Sequence, residues 1–307
     1  MTRKQGGAMG TLRTGGLTRR GSGRRAADLE YAVLDIETTG LDPREGARIV
    51  EIAVVRVRGD GKVVEEFSTL VDPRAPVSGQ EFHGIGESDT VGAPTVGQIV
   101  PRLARILSGA VVVSHNLDFE ERFLASELVP AGLPAGQSGL CTLRALRSQV
   151  DLARYSLPKA SYVLSGDWPT GQHTALGDAR ACAKLLVEMI ANAPGELRYR
   201  GPAPRTLPVP GNGAEEVRPK RRTASVGELP PPGVWEARWR PLELDPLLCG
   251  GLFGPHDRAV AEMSASRDAR TRRRAAAAAA MVGGIAAGGL LAGIGRLLDR
   301  GVSGRAG

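Results

Sequence analysis

Aromatic side chains make up only 4% of this 307-residue chain: five Phe, four Tyr and three Trp. With 42% hydrophobic residues overall, the core must rest mainly on Val, Leu, Ile and Ala. Cysteine is scarcer still. Cys141, Cys182 and Cys249 are scattered singletons with no C-x-x-C pair, which argues against a zinc site or a disulfide framework and fits a reducing cytoplasm. Acids are missing from residues 1–27, which hold Arg3, Lys4, Arg13, Arg19, Arg20, Arg24 and Arg25. No apolar run follows that basic start, so no signal peptide is expected, and residues 1–28 read as a disordered basic arm. The net charge of +7 and pI near 9.8 suit a polyanionic partner.

Long apolar runs are missing until residues 275–295, a stretch of 21 residues without a charge. That length can span a bilayer, and Arg272–Arg274 and Arg296 flank it. It is mainly Ala and Gly, however, whereas insertion energy comes from Leu, Ile and Val, at about −0.3 to −0.6 kcal/mol each. No membrane anchor is expected.

What the chain does have is concentrated in the middle. The apolar run Tyr31-Ala32-Val33-Leu34 reads as a buried strand and leads into Asp35-Ile36-Glu37-Thr38-Thr39-Gly40. Residues two apart in a strand share a face, so Asp35 and Glu37 present two carboxylates ~7 Å apart along the chain. Two acids in an apolar strand repel each other, and a divalent cation with its preference for oxygen ligands is the usual remedy. Residues 49–57 and 63–71 read as two more strands, giving an antiparallel meander. Residues 96–107 carry helical spacing, 110–114 a short apolar strand, and 115–129 a helix with Phe119, Phe123, Leu124 and Leu128 on one stripe. A short last strand running into a helix over 140–146, a weak helix over 157–164 and a strong helix over 173–191 complete a mixed α/β pattern. The last helix opens on His173-Thr-Ala-Leu-Gly-Asp178. Three carboxylates and a histidine are the inventory of two-metal phosphoryl chemistry, with the imidazole able to take a proton near neutrality.

Composition shifts at Pro194. Residues 193–233 form a Pro/Gly/Arg-rich linker, and 234–307 a poorly structured C-terminal extension ending in the Ala/Gly-rich tail. The organised domain is placed at residues 29–192.

The order of motifs resembles the DnaQ-like exonucleases of the DEDDh group, which includes the proofreading epsilon subunit of bacterial DNA polymerase III. The first motif is Asp35 to Leu41; the next landmark is Ile49-Val50-Glu51-Ile52-Ala53-Val54-Val55; His83-Gly84-Ile85 and then Ala93-Pro94-Thr95 follow; the last is His173 with Asp178-Ala179. The resemblance implies a ribonuclease H-like mixed sheet flanked by helices, and 3′→5′ release of nucleotides. It implies that Asp35, Glu37 and Asp178 hold two Mg²⁺ or Mn²⁺ ions and that His173 is the general base. Thr38, Thr39 and Leu41 would contact the 3′-terminal nucleotide, with His83 either lining the site or serving structure. One motif departs. His115-Asn116-Leu117-Asp118-Phe119-Glu120-Glu121-Arg122-Phe123-Leu124 puts Glu120 where the family has its ligand aspartate. Glu120 is the expected fourth ligand, and Asp118 the alternative, otherwise a helix N-cap. The implied partners are single-stranded or 3′-ended nucleic acid, DNA ahead of RNA, and a DNA polymerase complex. An adaptor or nucleic-acid-binding module with weakened catalysis is the rival function.

Overall fold

The chain's computed structural model describes residues 11–209, 217–222 and 236–242. The strands are β1 (Leu12–Thr18), β2 (Arg24–Arg25), β3 (Glu30–Thr38), β4 (Ile49–Arg58), β5 (Val63–Leu70), β6 (Val111–Ser114), β7 (Gln137–Cys141), β8 (Val150–Asp151), β9 (Arg198–Arg200) and β10 (Arg238–Trp239). The helices are α1 (Gln80–His83), α2 (Glu87–Thr90), α3 (Val96–Leu107), α4 (Leu117–Phe123), α5 (Thr142–Gln149), α6 (Leu157–Ser165) and α7 (Ala175–Asn192). Eight strands form one mixed sheet in the order β2-β9-β1-β7-β6-β3-β4-β5. The expected meander is its β3-β4-β5 side, both pairings antiparallel, while β3, β6, β7 and β1 run parallel.

Strand periodicity sorts the two faces. Ala32, Leu34 and Ile36 of β3 join Ile52 and Val54 of β4 in one cluster, under Ile99, Leu103 and Ile106 of α3 and Phe123 of α4. Tyr31 and Val33 join Ala53, Val55 and Val57 in the other, under Ala179, Cys182, Leu186 and Met189 of α7. Asp35 and Glu37 continue the second set, so the period of two aims both acids at the α7 side. The sheet is thus buried on both faces by helices, as the mixed α/β pattern and the family resemblance implied.

The chain's flanks depart from expectation. Residues 11–28, placed in a disordered arm, are ordered: β1 inserts between β7 and β9, with Leu12 paired to Gln137 and Leu17 to Tyr199. A glycine-containing strand is a poor local signal, yet Gly15 is required there, because a Cβ would lie 2.6 Å from the Arg200 carbonyl oxygen and 2.7 Å from the Tyr199 ring. Within the segment read as a linker, β9 forms and Leu197 and Tyr199 are buried, and residues 217–222 lie against β5, where the Leu70 N–H donates to the Lys220 carbonyl at 2.7 Å. In the C-terminal extension, β10 pairs with β8. Residues 1–10 and the Ala/Gly stretch over 275–295 lie outside the described residues. Among the described residues, no helix is long and apolar enough to cross a membrane.

Candidate active site

Three carboxylates meet between the C-terminal end of β3 and the first turn of α7. One carboxylate oxygen each from Asp35, Glu37 and Asp178 lies within 4.8 Å of the others. β3 supplies two of them by strand alternation. The third depends on how α7 starts: Thr174 caps it, its hydroxyl accepting from the Gly177 N–H at 3.0 Å, which leaves Asp178 in the first turn. Gly177 allows the preceding loop to lie against the helix, since a Cβ there would fall 2.0 Å from the Gly171 carbonyl oxygen.

Like charges so close, partly withdrawn from water, resist ionisation together. Asp35 is pushed well above the usual carboxylate range, first by loss of solvent and then by Asp178, Glu120, Glu37 and Glu51. Glu37 rises to about 8, by loss of solvent, then Asp178 and Glu51, with Arg222 pulling the other way. Asp178 is raised by loss of solvent, opposed by the hydrogen bond it accepts from the His173 N–H at 3.0 Å. An all-oxygen donor set held at this spacing against its own repulsion suits a hard divalent cation. The chemistry of the donors therefore fits the metal implied for the family, with Asp35, Glu37 and Asp178 as the residues that can hold it.

Glu120 stands just outside that trio. It projects from α4, is 5% exposed, and its Oε2 has no hydrogen-bond partner among the described residues. Burial raises its pKa, and its charge is one of those that raise Asp35's. Asp118 is exposed and its Oδ2 is engaged by Arg144 Nη2. It does not cap α4 as expected: the N-cap position is Asn116, and Asp118 lies inside the first turn.

His173 is not helical. It precedes α7 on the loop, exposed, with a left-handed backbone (φ 58°), a conformation uncommon for a non-glycine residue. The remaining predicted residues divide. Leu41, in the turn that follows β3, is 79% exposed. Thr38 Oγ1 donates to the Gly40 carbonyl at 2.7 Å, and Thr39 Oγ1 accepts from the Arg48 N–H at 2.9 Å, so both hydroxyls shape the turn. His83 is buried, and both ring nitrogens are used: Nδ1 accepts from the Ile85 N–H, which leaves Nε2 as the donor to the Ser78 carbonyl. Both bonds tie it to its own turn.

Two further residues enter the site without having been singled out. Glu51 of β4 is paired with Glu37 across the antiparallel ladder, and its Oε2 accepts from the Ala175 N–H at 3.0 Å. Its place on the acid face followed from alternation with Ala53 and Val55. Arg222 reaches the cluster from a segment with no local signal of structure; its Nε lies 3.6 Å from Glu51 Oε2.

Residues 32–186 match the family model described as Exonuclease. The DNA polymerase III subunit epsilon of Aquifex aeolicus is 30% identical over 167 residues, 53% of this chain and 81% of that protein. The PolC-type DNA polymerase III of Caldanaerobacter subterraneus is 32% identical over 173 residues, 55% of this chain but only 12% of the polymerase. The chain thus spans a small fraction of its PolC-type relatives. A crystal structure titled as a full-length 3′-exonuclease overlays with a TM-score of 0.48 at 16% identity, covering 62% of this chain and 74% of that one.

Proposed function

This chain belongs to the exonuclease family, and from that premise we propose that it is a metal-dependent 3′→5′ exonuclease acting on single-stranded or 3′-ended nucleic acid, DNA ahead of RNA. The observation that carries the proposal is the convergence of Asp35, Glu37 and Asp178 oxygens within 4.8 Å of one another. Two bound Mg²⁺ or Mn²⁺ ions would supply Lewis-acid activation of water and stabilisation of the leaving oxygen. Asp35, Glu37 and Asp178 would hold the ions, with Glu120, whose buried Oε2 has no hydrogen bond among the described residues, completing the ligand set in place of the family's aspartate. His173 takes the proton of the attacking water; its exposure on a loop leaves the imidazole free to approach substrate. Leu41, exposed at the rim, offers an apolar surface to the terminal base, while the Thr38–Thr39 turn sets the approach of the backbone. The relatives' names support a place beside a DNA polymerase.

The experiment is digestion of a 5′-labelled single-stranded oligonucleotide with Mg²⁺ or Mn²⁺, and with chelator. A ladder shortened stepwise from the 3′ end, absent with chelator, supports the proposal. Release of label as the first product would reverse the polarity. The rival, a binding module with weakened catalysis, draws on the longer Glu120 side chain at the aspartate position; oligonucleotide binding with no digestion under any divalent ion would favour it.

A further inference from the structure

Residues 217–222 lie beyond the part of the chain that matches the exonuclease family. They nonetheless dock on the domain at the free edge of β5. The Lys220 N–H donates to Thr69 Oγ1 at 3.0 Å, its carbonyl accepts from the Leu70 N–H at 2.7 Å, and its Nζ donates to the Val91 carbonyl. This engages one backbone group, the Leu70 N–H, on an edge strand that would otherwise leave it unpaired. Two residues on, Arg222 turns into the acidic site, with its side chain only 11% exposed.

There the guanidinium makes two contacts. Nη1 donates to the His173 carbonyl at 2.9 Å, and Nε lies 3.6 Å from Glu51 Oε2. Glu51 in turn accepts from the Ala175 N–H, and Asp178 accepts from the His173 N–H. His173 has a left-handed backbone, and such conformations persist only where surrounding contacts over-determine them. Arg222 contributes a contact to it from outside both the loop and the family domain.

We infer that Arg222 is a positioning residue: the 217–222 strap delivers a guanidinium that clamps the His173 backbone to Glu51 and so holds the loop between the proposed general base and α7. The forked, planar donor set suits a carbonyl and a carboxylate at once, which a lysine ammonium on one flexible stem does not reproduce. The catalytic arm of the inference rests on the proposed nuclease reading; the conformational arm does not.

The test uses the full chain. In metal-free protein, hydrogen exchange of the amides of His173 and Ala175 should accelerate about 10-fold or more in Arg222→Ala, with sheet amides unchanged, because the restraint is local. With substrate, kcat should fall on the order of 10-fold while KM for an oligonucleotide stays near wild type, as expected when a base is misplaced rather than substrate lost. Millimolar guanidinium should restore part of that kcat, whereas NaCl at equal ionic strength should not. Arg222→Lys should fall between the two. If exchange at His173 and Ala175 does not change, or if it rises equally across the sheet, the clamp is overturned. A wild-type protein without nuclease activity would sink the proposed function and leave the exchange result to decide the clamp alone.

Discussion

Glu37 of β3 stands directly opposite Glu51 of β4 in the antiparallel register, two carboxylates on one face of neighbouring strands. Like charges so paired are destabilising. Glu51 is offset by the Ala175 N–H and the Arg222 guanidinium, whereas no direct hydrogen bond to the Glu37 carboxylate is seen among the described residues. The pair is thus asymmetric: Glu51 is tied to the start of α7, and Glu37 is left to the acidic cluster, where the proposed function makes it a ligand.

Replacing Glu51 with Ala should leave the buried Ala175 N–H without its acceptor and Arg222 without its carboxylate partner, at a cost of about 1–3 kcal/mol. Glu51→Gln keeps an acceptor and should cost less. Urea unfolding of the two variants checks this; equal and negligible losses would remove Glu51 from the start of α7.

Asp35 carries the repulsion of four neighbouring acids. In chelator, Asp35→Asn should therefore raise stability on the order of 1 kcal/mol, about 2–4 °C in Tm for a domain of this size. Millimolar Mg²⁺ or Mn²⁺ should raise the Tm of wild type, since a ligand of the native state alone stabilises it, and do so far less in the variant. Thermal unfolding with and without the ion reads both effects. A variant less stable than wild type in chelator would show that Asp35 is held by something other than a metal.

The second motif is tested by contrast. Glu120→Gln should abolish metal-dependent hydrolysis, because it removes a buried carboxylate whose Oε2 has no hydrogen bond among the described residues. Asp118→Asn should cost about 1 kcal/mol or less of stability and little activity, as it weakens an exposed ion pair with Arg144. His173→Ala should slow hydrolysis by about 10²–10⁴-fold while leaving the divalent-ion shift in Tm intact. The reverse pattern for the two acids would give the ligand role to Asp118.

These sites differ in how far the sequence revealed them. Asp35, Glu37 and Asp178 were legible because strand alternation and a short helical spacing are local patterns. His173 was misassigned to the helix, although Thr174 three residues ahead of Gly177 is a local capping signal. β1 was not legible, because its strand character comes from a partner such as Gln137, far along the chain, and from a close approach only glycine permits. Arg222 sits in a Pro/Arg-rich run whose docking on β5 is wholly tertiary. His83 had two open roles, and its burial and two hydrogen bonds, neither readable from the sequence, are what the structure adds.

His115 gives a pH dependence free of the acidic cluster. Its Nε2 donates to the Tyr155 carbonyl at 2.7 Å, Nδ1 lies 3.0 Å from Thr142 Oγ1, and burial pulls its pKa down to about 4. The unfolded chain, with an ordinary histidine pKa of about 6.5, binds the proton more readily than the native state. The neutral ring's contribution to stability is therefore fully present above about pH 6.5 and lost as pH falls toward 4. Comparing the pH dependence of unfolding in wild type and His115→Gln isolates it. Wild type should lose more stability than the variant between those limits, and parallel curves would contradict the burial.

The last prediction concerns the domain's limits. A fragment of residues 29–192 contains every predicted catalytic residue but lacks β1, β2 and β9. It would uncover β7, all five of whose residues are buried, and would delete Leu12, Leu17, Leu197 and Tyr199 from the interior. Tyr31 would lose the Ala26 carbonyl its hydroxyl donates to at 2.8 Å, and Gly139 the Tyr199 hydroxyl at 3.1 Å. Each large apolar side chain so removed is worth about 1.5–3 kcal/mol, and four of them approach the whole net stability of an ordinary domain, about 5–15 kcal/mol. The 29–192 fragment should therefore show no cooperative urea transition by circular dichroism. A fragment of residues 11–222 restores all three strands and the Arg222 strap, and should unfold cooperatively. Equal midpoints for the two would show that the β1–β9 side adds nothing to the fold, and that the organised domain ends where the family match does.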